Sequence, residues 1–224
     1  MKRNWFQHAG TFALFLLLAA APLHAADLTR LDALPGSKVR IEGTSTIHDW
    51  QVQGSLIGGH LEVGPGFPTQ PGQKVEPGKV EATAEVFIPV RSLKSVEKDG
   101  SPYSDKMNNV MYEKMKQPQH QRIVYRLKEL VLKEAPKSAD APYAFDSKGE
   151  LVVAGATNQI SMPVRITPLA GNKLKITGDV GMKMSDFGIE PPVLIGLLKT
   201  GDEIKLHLEW MVGQRPAAPV TTPK

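Results

Sequence analysis

The chain has 224 residues, a formal charge of +4 at neutral pH and no cysteine. The lack of cysteine excludes disulfide bonds and thiolate metal sites, so stability has to come from an apolar core. The basic residues are scattered along the chain and form no block, which argues against a nucleic-acid-binding protein.

The first 25 residues have the pattern of a cleaved signal peptide. Lys2 and Arg3 precede an apolar run from Thr11 to Ala21. This run is shorter than the ~20 apolar residues that a membrane-spanning helix needs. We expect cleavage after Ala25, which lowers the formal charge from +4 to +2. The pattern predicts a periplasmic protein without a permanent membrane anchor, and the alternative is an uncleaved anchor.

Alternation of apolar and polar residues dominates the rest of the chain. This period of two is typical of strands that have one buried face and one face in water. Residues 80–88 and 204–212 show it most clearly, and residues 160–166 and 174–184 repeat it. These four segments are predicted as strands. Weaker candidates are 39–43, 50–57, 60–63, 123–132 and 151–155.

Short polar or glycine-containing segments between the apolar runs predict tight turns, since they supply residues that tolerate a positive φ. Within 123–132 the apolar positions move from odd to even numbers, which predicts a bulge near Lys128 and Glu129. The predicted turns are Gly58-Gly59, Ser147-Lys148-Gly149, Thr157-Asn158 and Gly171-Asn172.

One segment departs from the alternation. Between residues 104 and 116 the apolar side chains recur at spacings of three and four, which predicts one short amphipathic helix. Ser104 or Asp105 can cap its start, and Pro118 prevents its continuation. The helix either packs over one end of the fold or acts as a flexible lid. The residues of this predicted lid are Met107, Val110, Met111 and Met115.

Seven to nine antiparallel strands and one helix predict an all-β protein, built as a closed barrel or a sandwich. Ala82, Ala84 and Gly178 are small at inward positions, which favours a barrel of about eight strands that is partly hollow and holds a ligand. Small residues also fit the tapering ends of a filled barrel, so that alternative stays open. The predicted inward, ligand-lining residues are Ala82, Ala84, Val86, Ile160, Met162, Val164, Ile176, Val180, Met182, Leu206, Leu208 and Trp210.

The polar residues show no pattern of a catalytic or metal site. The histidines after the signal peptide have no spacing typical of metal ligands. His48 and Asp49 near Ser45 could begin a hydrolase triad, but adjacent residues on a strand point to opposite faces. We interpret residues 44–49 as a hydrogen-bonded turn with Trp50 packed beneath it. No catalytic residue, metal or cofactor is therefore expected.

The segment Ser185-Asp186-Phe187-Gly188-Ile189 contains the Asp-Phe-Gly triplet found in protein kinases. No glycine-rich loop, lysine strand or catalytic loop accompanies it, so a kinase is excluded. We interpret Asp186 and Gly188 as a tight turn after the strand, with Phe187 filling one end of the core.

Three sequence blocks occur together in a characteristic order. They are residues 43–50, residues 88–95 continued at 105–112, and residues 183–189, with 149–155 between the last two. In this order they resemble the YceI-like periplasmic proteins, a family named for binding polyisoprenoid lipids. The resemblance spans roughly residues 39–212. It implies a lipocalin-like antiparallel β-barrel, a helix across one opening, and a long apolar channel for an isoprenoid tail.

These observations predict three regions: a signal peptide at 1–25, a lipid-binding YceI-like barrel domain at 26–213, and a disordered tail at 214–224. The expected function is that of a non-catalytic binding or carrier protein. Its ligand would be a polyisoprenoid, an isoprenoid quinone or a similar long-chain lipid, bound as cargo and not as a cofactor. The alternative is an envelope interaction or structural protein with a filled barrel, acting through loops such as 64–78. The sequence is also compatible with a homodimer.

Overall fold

The structure is a computed structural model that describes residues 28–194 and 198–214. The predicted signal peptide, and the predicted tail beyond Gln214, lie outside the described residues. None of the described residues forms a helix long and apolar enough to cross a membrane.

Thirteen strands and one α-helix form the described part of the chain, together with two 3₁₀ helices. The strands are β1 (Thr29–Ala33), β2 (Lys38–Ser45), β3 (Trp50–Gly54), β4 (Gly58–Val63), β5 (Gly78–Lys79), β6 (Ala82–Pro89), β7 (Lys94–Val96), β8 (Arg122–Glu134), β9 (Tyr143–Val153), β10 (Ala156–Leu169), β11 (Lys173–Lys183), β12 (Val193–Leu194) and β13 (Leu198–Gly213). The α-helix, α1, spans Asp105–Lys114, and 3₁₀ helices span Val90–Ser92 and Ser185–Phe187.

Eight of these strands form a closed antiparallel barrel. Their order around the wall is β1, β4, β6, β8, β9, β10, β11 and β13. β13 returns to β1 through the pairs Asp32↔Gly213 and Ala33↔Val212, and this contact closes the ring. The predicted all-β fold, an antiparallel barrel with one short helix, is confirmed.

A small sheet extends from the barrel and holds the helix. β13 also pairs with β2, and β3 and β7 follow outward. The Asn108 Oδ1 atom of α1 accepts a hydrogen bond of 2.7 Å from the Ser95 backbone N–H, and Tyr112 Oη donates to the Leu93 carbonyl at 2.8 Å. Ser104 caps the helix start as predicted, since its side chain accepts from the Met107 N–H. These bonds fix α1 on β7.

The two ends of the barrel are closed differently. At one end the loop 64–78 folds over the opening, and its Phe67 stacks on Phe145 of β9 with 5.8 Å between the ring centroids. Tyr143 Oη also donates to the Gln73 carbonyl of this loop. α1 lies at the opposite end, where Lys114 Nζ is 3.5 Å from a Glu190 carboxylate oxygen. The loop therefore seals one end with aromatic rings, while the other end carries the helix.

Two predicted features of the chain path are confirmed. The register between β8 and β9 shifts between Leu127 and Glu129, which is the predicted bulge. Gly171 and Asn172 make the turn between β10 and β11, and both have a positive φ, 75° and 53°.

The other three predicted turns are wrong. Gly58 and Gly59 open β4, residues 147–149 lie inside β9, and residues 157–158 lie inside β10, after a turn at 154–155. The physical reason is that some of these glycines make room for aromatic rings across the sheet. A Cβ at Gly58 would lie 2.2 Å from Phe87 Cζ, and one at Gly149 would lie 2.6 Å from Tyr125 Oη.

Candidate functional site

An apolar cavity of about 100 Å³ lies inside the barrel. Seven strands line it, β4, β6, β8, β9, β10, β11 and β13. Because side chains alternate between the two faces of a strand, each of these strands sends mainly its apolar residues inward. Among the described residues that line the cavity there is no charged side chain. The wall can make dispersion contacts with an apolar chain along its length.

The structure brings eleven of the twelve predicted inward residues together on the cavity wall. Ala82 is the exception. It is half-buried, pairs with Val63 at the start of β6 and packs against the core outside the cavity. The eleven residues on the wall are Ala84, Val86, Ile160, Met162, Val164, Ile176, Val180, Met182, Leu206, Leu208 and Trp210.

Sequence reasoning missed nine further residues of the wall. Most belong to β8 and β9, where the bulge shifts the apolar phase and the polar segment 147–149 has the composition of a turn. The alternation of Tyr143 and Phe145 with Leu151 and Val153 is the signal that could have extended β9 through that segment. The nine residues are Leu61, Ile88, Ile123, Tyr125, Leu127, Leu130, Ser147, Leu151 and Ile166.

Three polar groups lie on this apolar wall. Ser147 Oγ donates a hydrogen bond of 2.8 Å to the Met162 carbonyl. Tyr125 Oη and Trp210 Nε1 are buried and have no hydrogen-bond partner among the described residues. Burial raises the pKa of the Tyr125 phenol. The phenol is thus a neutral donor, and an unpartnered buried donor costs roughly 1–3 kcal/mol.

A second hollow, of about 410 Å³, opens beside the cavity between β10 and β11. We call it the groove. Ile160, Val180 and Met182 line both the groove and the cavity, so the two hollows share a wall. The other residues of the groove are Asn158, Gln159, Ser161, Gly181, Asp186 and Phe187.

The second 3₁₀ helix, Ser185–Phe187, bounds the groove and is fixed to β13. Asp202 accepts hydrogen bonds from the Ser185 backbone N–H at 2.8 Å and from Ser185 Oγ at 2.5 Å. These bonds from Ser185 hold the pKa of the Asp202 carboxyl below its ordinary value. Gly188 has a φ of 64°, and Phe187 is only 3% exposed. The predicted turn with a buried Phe187 is confirmed.

The YceI-like domain family matches residues 31–211. The chain belongs to the YceI-like family. Its match covers nearly all of the barrel, from β1 to the end of β13, so the resemblance of the three sequence blocks is confirmed.

Two solved structures are similar to this YceI-like barrel. One is a polyisoprenoid binding domain from Saccharophagus degradans implicated in plant cell wall breakdown; its TM-score is 0.59 at 10% identity, over 84% of this chain and 99% of that one. The other is BcnA of Burkholderia cenocepacia, with a TM-score of 0.55 at 14% identity, over 78% of this chain and 95% of that one. At such identities the likeness establishes a shared fold. No curated protein matches this YceI-like chain.

The four residues of the predicted lid do not reach the cavity wall. Met115 is buried, and Met107, Val110 and Met111 are half-buried on α1, which packs against β7. A gating role of the helix in this YceI-like barrel stays a prediction.

The His48 region of the YceI-like chain has the geometry of a turn. Ser45 Oγ donates to the His48 carbonyl at 2.7 Å, and His48 Nδ1 lies 2.8 Å from the Asp49 backbone oxygen. Trp50 Nε1 donates to the Thr44 carbonyl at 3.1 Å. The serine hydroxyl is therefore bonded to backbone and not to the imidazole, which is unlike a catalytic triad. In residues 28–194 and 198–214, no three His, Asp or Glu side chains are grouped as a metal site.

Proposed function

We propose that this chain is a periplasmic, non-catalytic binding or carrier protein for a long apolar amphiphile, such as a polyisoprenoid or an isoprenoid quinone. The observation that carries the proposal is the apolar cavity inside the closed barrel, where strands from most of the wall contribute. Membership of the YceI-like family supports it, as does the similar fold of a polyisoprenoid binding domain.

The cavity favours an apolar chain for a simple energetic reason. Burying apolar surface gains about 25 cal/mol per Å², and this term needs no charged partner. Because the described residues on the wall carry no charge, a phosphate or amine placed inside would lose its hydration without compensation. The ligand therefore keeps its charged groups, if it has any, outside the cavity.

The size of the cavity implies that binding displaces side chains. About 100 Å³ is less than the ~150 Å³ of an engineered cavity that binds benzene, so a long chain needs more room. Met162, Met182 and Leu206 line the wall, and methionine in particular adapts its shape easily. Movement of such side chains toward the groove would lengthen the cavity.

The same small volume favours a second candidate function. If the side chains do not move, the barrel is filled, and the protein acts as an envelope interaction or structural protein through its loops. The loop 64–78, which packs over one end of the barrel, is the surface on which such a function would depend.

Extraction of bound lipid tests the two candidates. The full chain is expressed in a Gram-negative host, and protein from the periplasmic fraction is purified without detergent, extracted with organic solvent and analysed by mass spectrometry. We expect one long-chain lipid per protein and an intact mass that begins at Ala26. Ala84→Trp fills the cavity and should give an empty extract, whereas Thr83→Trp, on the outer face of β6, should retain the lipid. Equal empty extracts from all three proteins would favour the filled barrel.

A further inference from the structure

The barrel wall is split between β10 and β11. These strands pair from Leu169↔Lys173 up to Val164↔Gly178. Beyond that point, and within residues that the structure describes throughout, β10 pairs only with β9 as far as Ala156, and β11 pairs only with β13 as far as Lys183. Pro163 is the first residue of β10 past the last pair, and proline suits an unpaired strand edge because it has no N–H.

The groove occupies this split and joins it to the interior. Ile160, Val180 and Met182 form its inner side and belong to the cavity wall as well. At its end the Asn158 Nδ2 atom donates a hydrogen bond of 2.6 Å to the Asp186 carbonyl, which connects β10 to the second 3₁₀ helix. A molecule in the groove would thus contact apolar side chains inside and polar groups outside.

The polar side of the groove suits an uncharged group. Its polar side chains are the neutral Asn158, Gln159 and Ser161, and Asp186 is the charged one among the described residues that line it. The edges of two unpaired strands also offer backbone N–H and C=O groups. The Asp186 carboxylate would repel a phosphate or diphosphate, while hydroxyl and carbonyl groups can bond to amides and backbone.

We propose that the groove between β10 and β11 binds the uncharged, hydrogen-bonding head group of an amphiphile whose apolar chain occupies the cavity. The ligand then passes sideways through the split wall instead of along the barrel axis. This inference rests on the proposed function, since it requires an apolar chain inside the barrel.

Two probes with the same chain and different head groups test the inference. Geranylgeraniol carries a hydroxyl, and geranylgeranyl diphosphate carries an anionic group on the same prenyl chain. Their affinities for delipidated mature protein are measured by isothermal titration calorimetry. We expect the alcohol to bind roughly tenfold more tightly than the diphosphate, because the Asp186 carboxylate would repel the negative charge of the diphosphate.

Gly181→Trp tests the location of the head group. Gly181 is exposed between the inward residues Val180 and Met182, and a Cβ there would meet only Ile204 O at 3.9 Å, so the backbone has room for an outward side chain. The indole would cover the groove and weaken binding of the alcohol about tenfold. Gly66→Trp is the matched control, because Gly66 is exposed with no atom within 4 Å of an added Cβ. Equal melting temperatures of the two variants confirm that both fold.

Asp186→Asn tests the charge preference. The substitution should strengthen binding of the diphosphate roughly threefold and leave the alcohol unchanged. Asp179→Asn, on β11 but outside the groove, should change neither affinity. Equal or tighter binding of the diphosphate to the wild type, or identical alcohol affinities for Gly181→Trp and Gly66→Trp, would overturn the head-group site while the barrel proposal stands. Failure of the wild type to bind either probe would overturn both.

Discussion

Tyr125 is the residue at which the wall of the cavity departs from a simple apolar lining. Its ring lies over Gly149, where even a methyl group would come within 2.6 Å of the hydroxyl oxygen. Tyr125 Oη is buried and has no hydrogen-bond partner among the described residues. Tyr143, on β9, is fully buried and donates its hydroxyl to the Gln73 carbonyl, whereas the Tyr125 side chain as a whole is half-buried. The two phenols provide a matched pair for measuring what such a bond contributes.

Removal of the two hydroxyl groups should have opposite consequences in the delipidated protein. Tyr143→Phe deletes a made hydrogen bond and should lower the free energy of unfolding by about 1 kcal/mol. Tyr125→Phe deletes an unpartnered donor and should leave that free energy unchanged or raise it by up to ~1 kcal/mol. Urea denaturation measures both. A clear loss for Tyr125→Phe would mean that its hydroxyl has a partner in the folded protein.

The alternation of apolar and polar residues alone predicted to which face of its strand most side chains point. Ala84, Met162 and Leu206 reach the wall because period two determines the face of a strand, whatever its partners are. Ser147 and Gly149 interrupt the apolar alternation, and only the flanking residues of β9 indicate that the strand continues through them. Polar and flexible residues favour turns locally, and here the space required by the Tyr125 ring keeps them inside β9. That requirement comes from a contact between strands, which no single segment reveals.

At the scale of elements, the split between β10 and β11 is the main feature that the sequence does not indicate. Residues 160–166 and 174–184 alternate equally well along their whole length, and alternation does not report where pairing between two strands stops. The sequence predicts the helix and its N-terminal cap. The position of the helix against β7 depends on hydrogen bonds of Asn108 and Tyr112, two residues outside the predicted apolar stripe.

A disulfide across the split should control ligand exchange. Continuation of the register beyond Val164↔Gly178 would place Ser161 opposite Gly181, so oxidation of the Ser161→Cys, Gly181→Cys variant would draw the edges together. The chain has no other cysteine. Release of labelled geranylgeraniol should slow about tenfold or more on oxidation and recover with a reductant.

The control for this disulfide joins β10 and β11 where the two strands are already paired. Arg165 and Thr177 face each other in the register, so a cysteine pair there leaves the split open. Its oxidation should not change the release rate. Undiminished release from the locked variant would place the passage elsewhere and would favour the helix, with Met107, Val110, Met111 and Met115, as the lid.

The whole molecule is a barrel with two unlike ends. Phe67 and the loop 64–78 seal one end, while the split, the groove and α1 lie toward the other. The all-β class and a barrel of about eight strands follow from the sequence because burial of one strand face leaves a strong pattern. The short strands β1, β5, β7 and β12 were not predicted, since each is too brief for such a pattern. Closure of the ring does not follow from the sequence pattern, because it depends on two residue pairs between β1 and β13. These two strands are the first and the last of the barrel in the sequence.

Fluorescence of Trp210 reports whether an apolar chain lies inside the barrel. This residue lines the cavity and is 3% exposed, and Trp50, on β3, is the other tryptophan outside the predicted signal peptide. Dibrominated stearyl alcohol, whose bromine atoms quench indole on contact, is titrated into delipidated Trp50→Phe and Trp210→Phe proteins. We predict saturable, stoichiometric quenching of Trp210 in the first protein and none of Trp50 in the second. Quenching of neither tryptophan, or of both equally, would contradict this prediction.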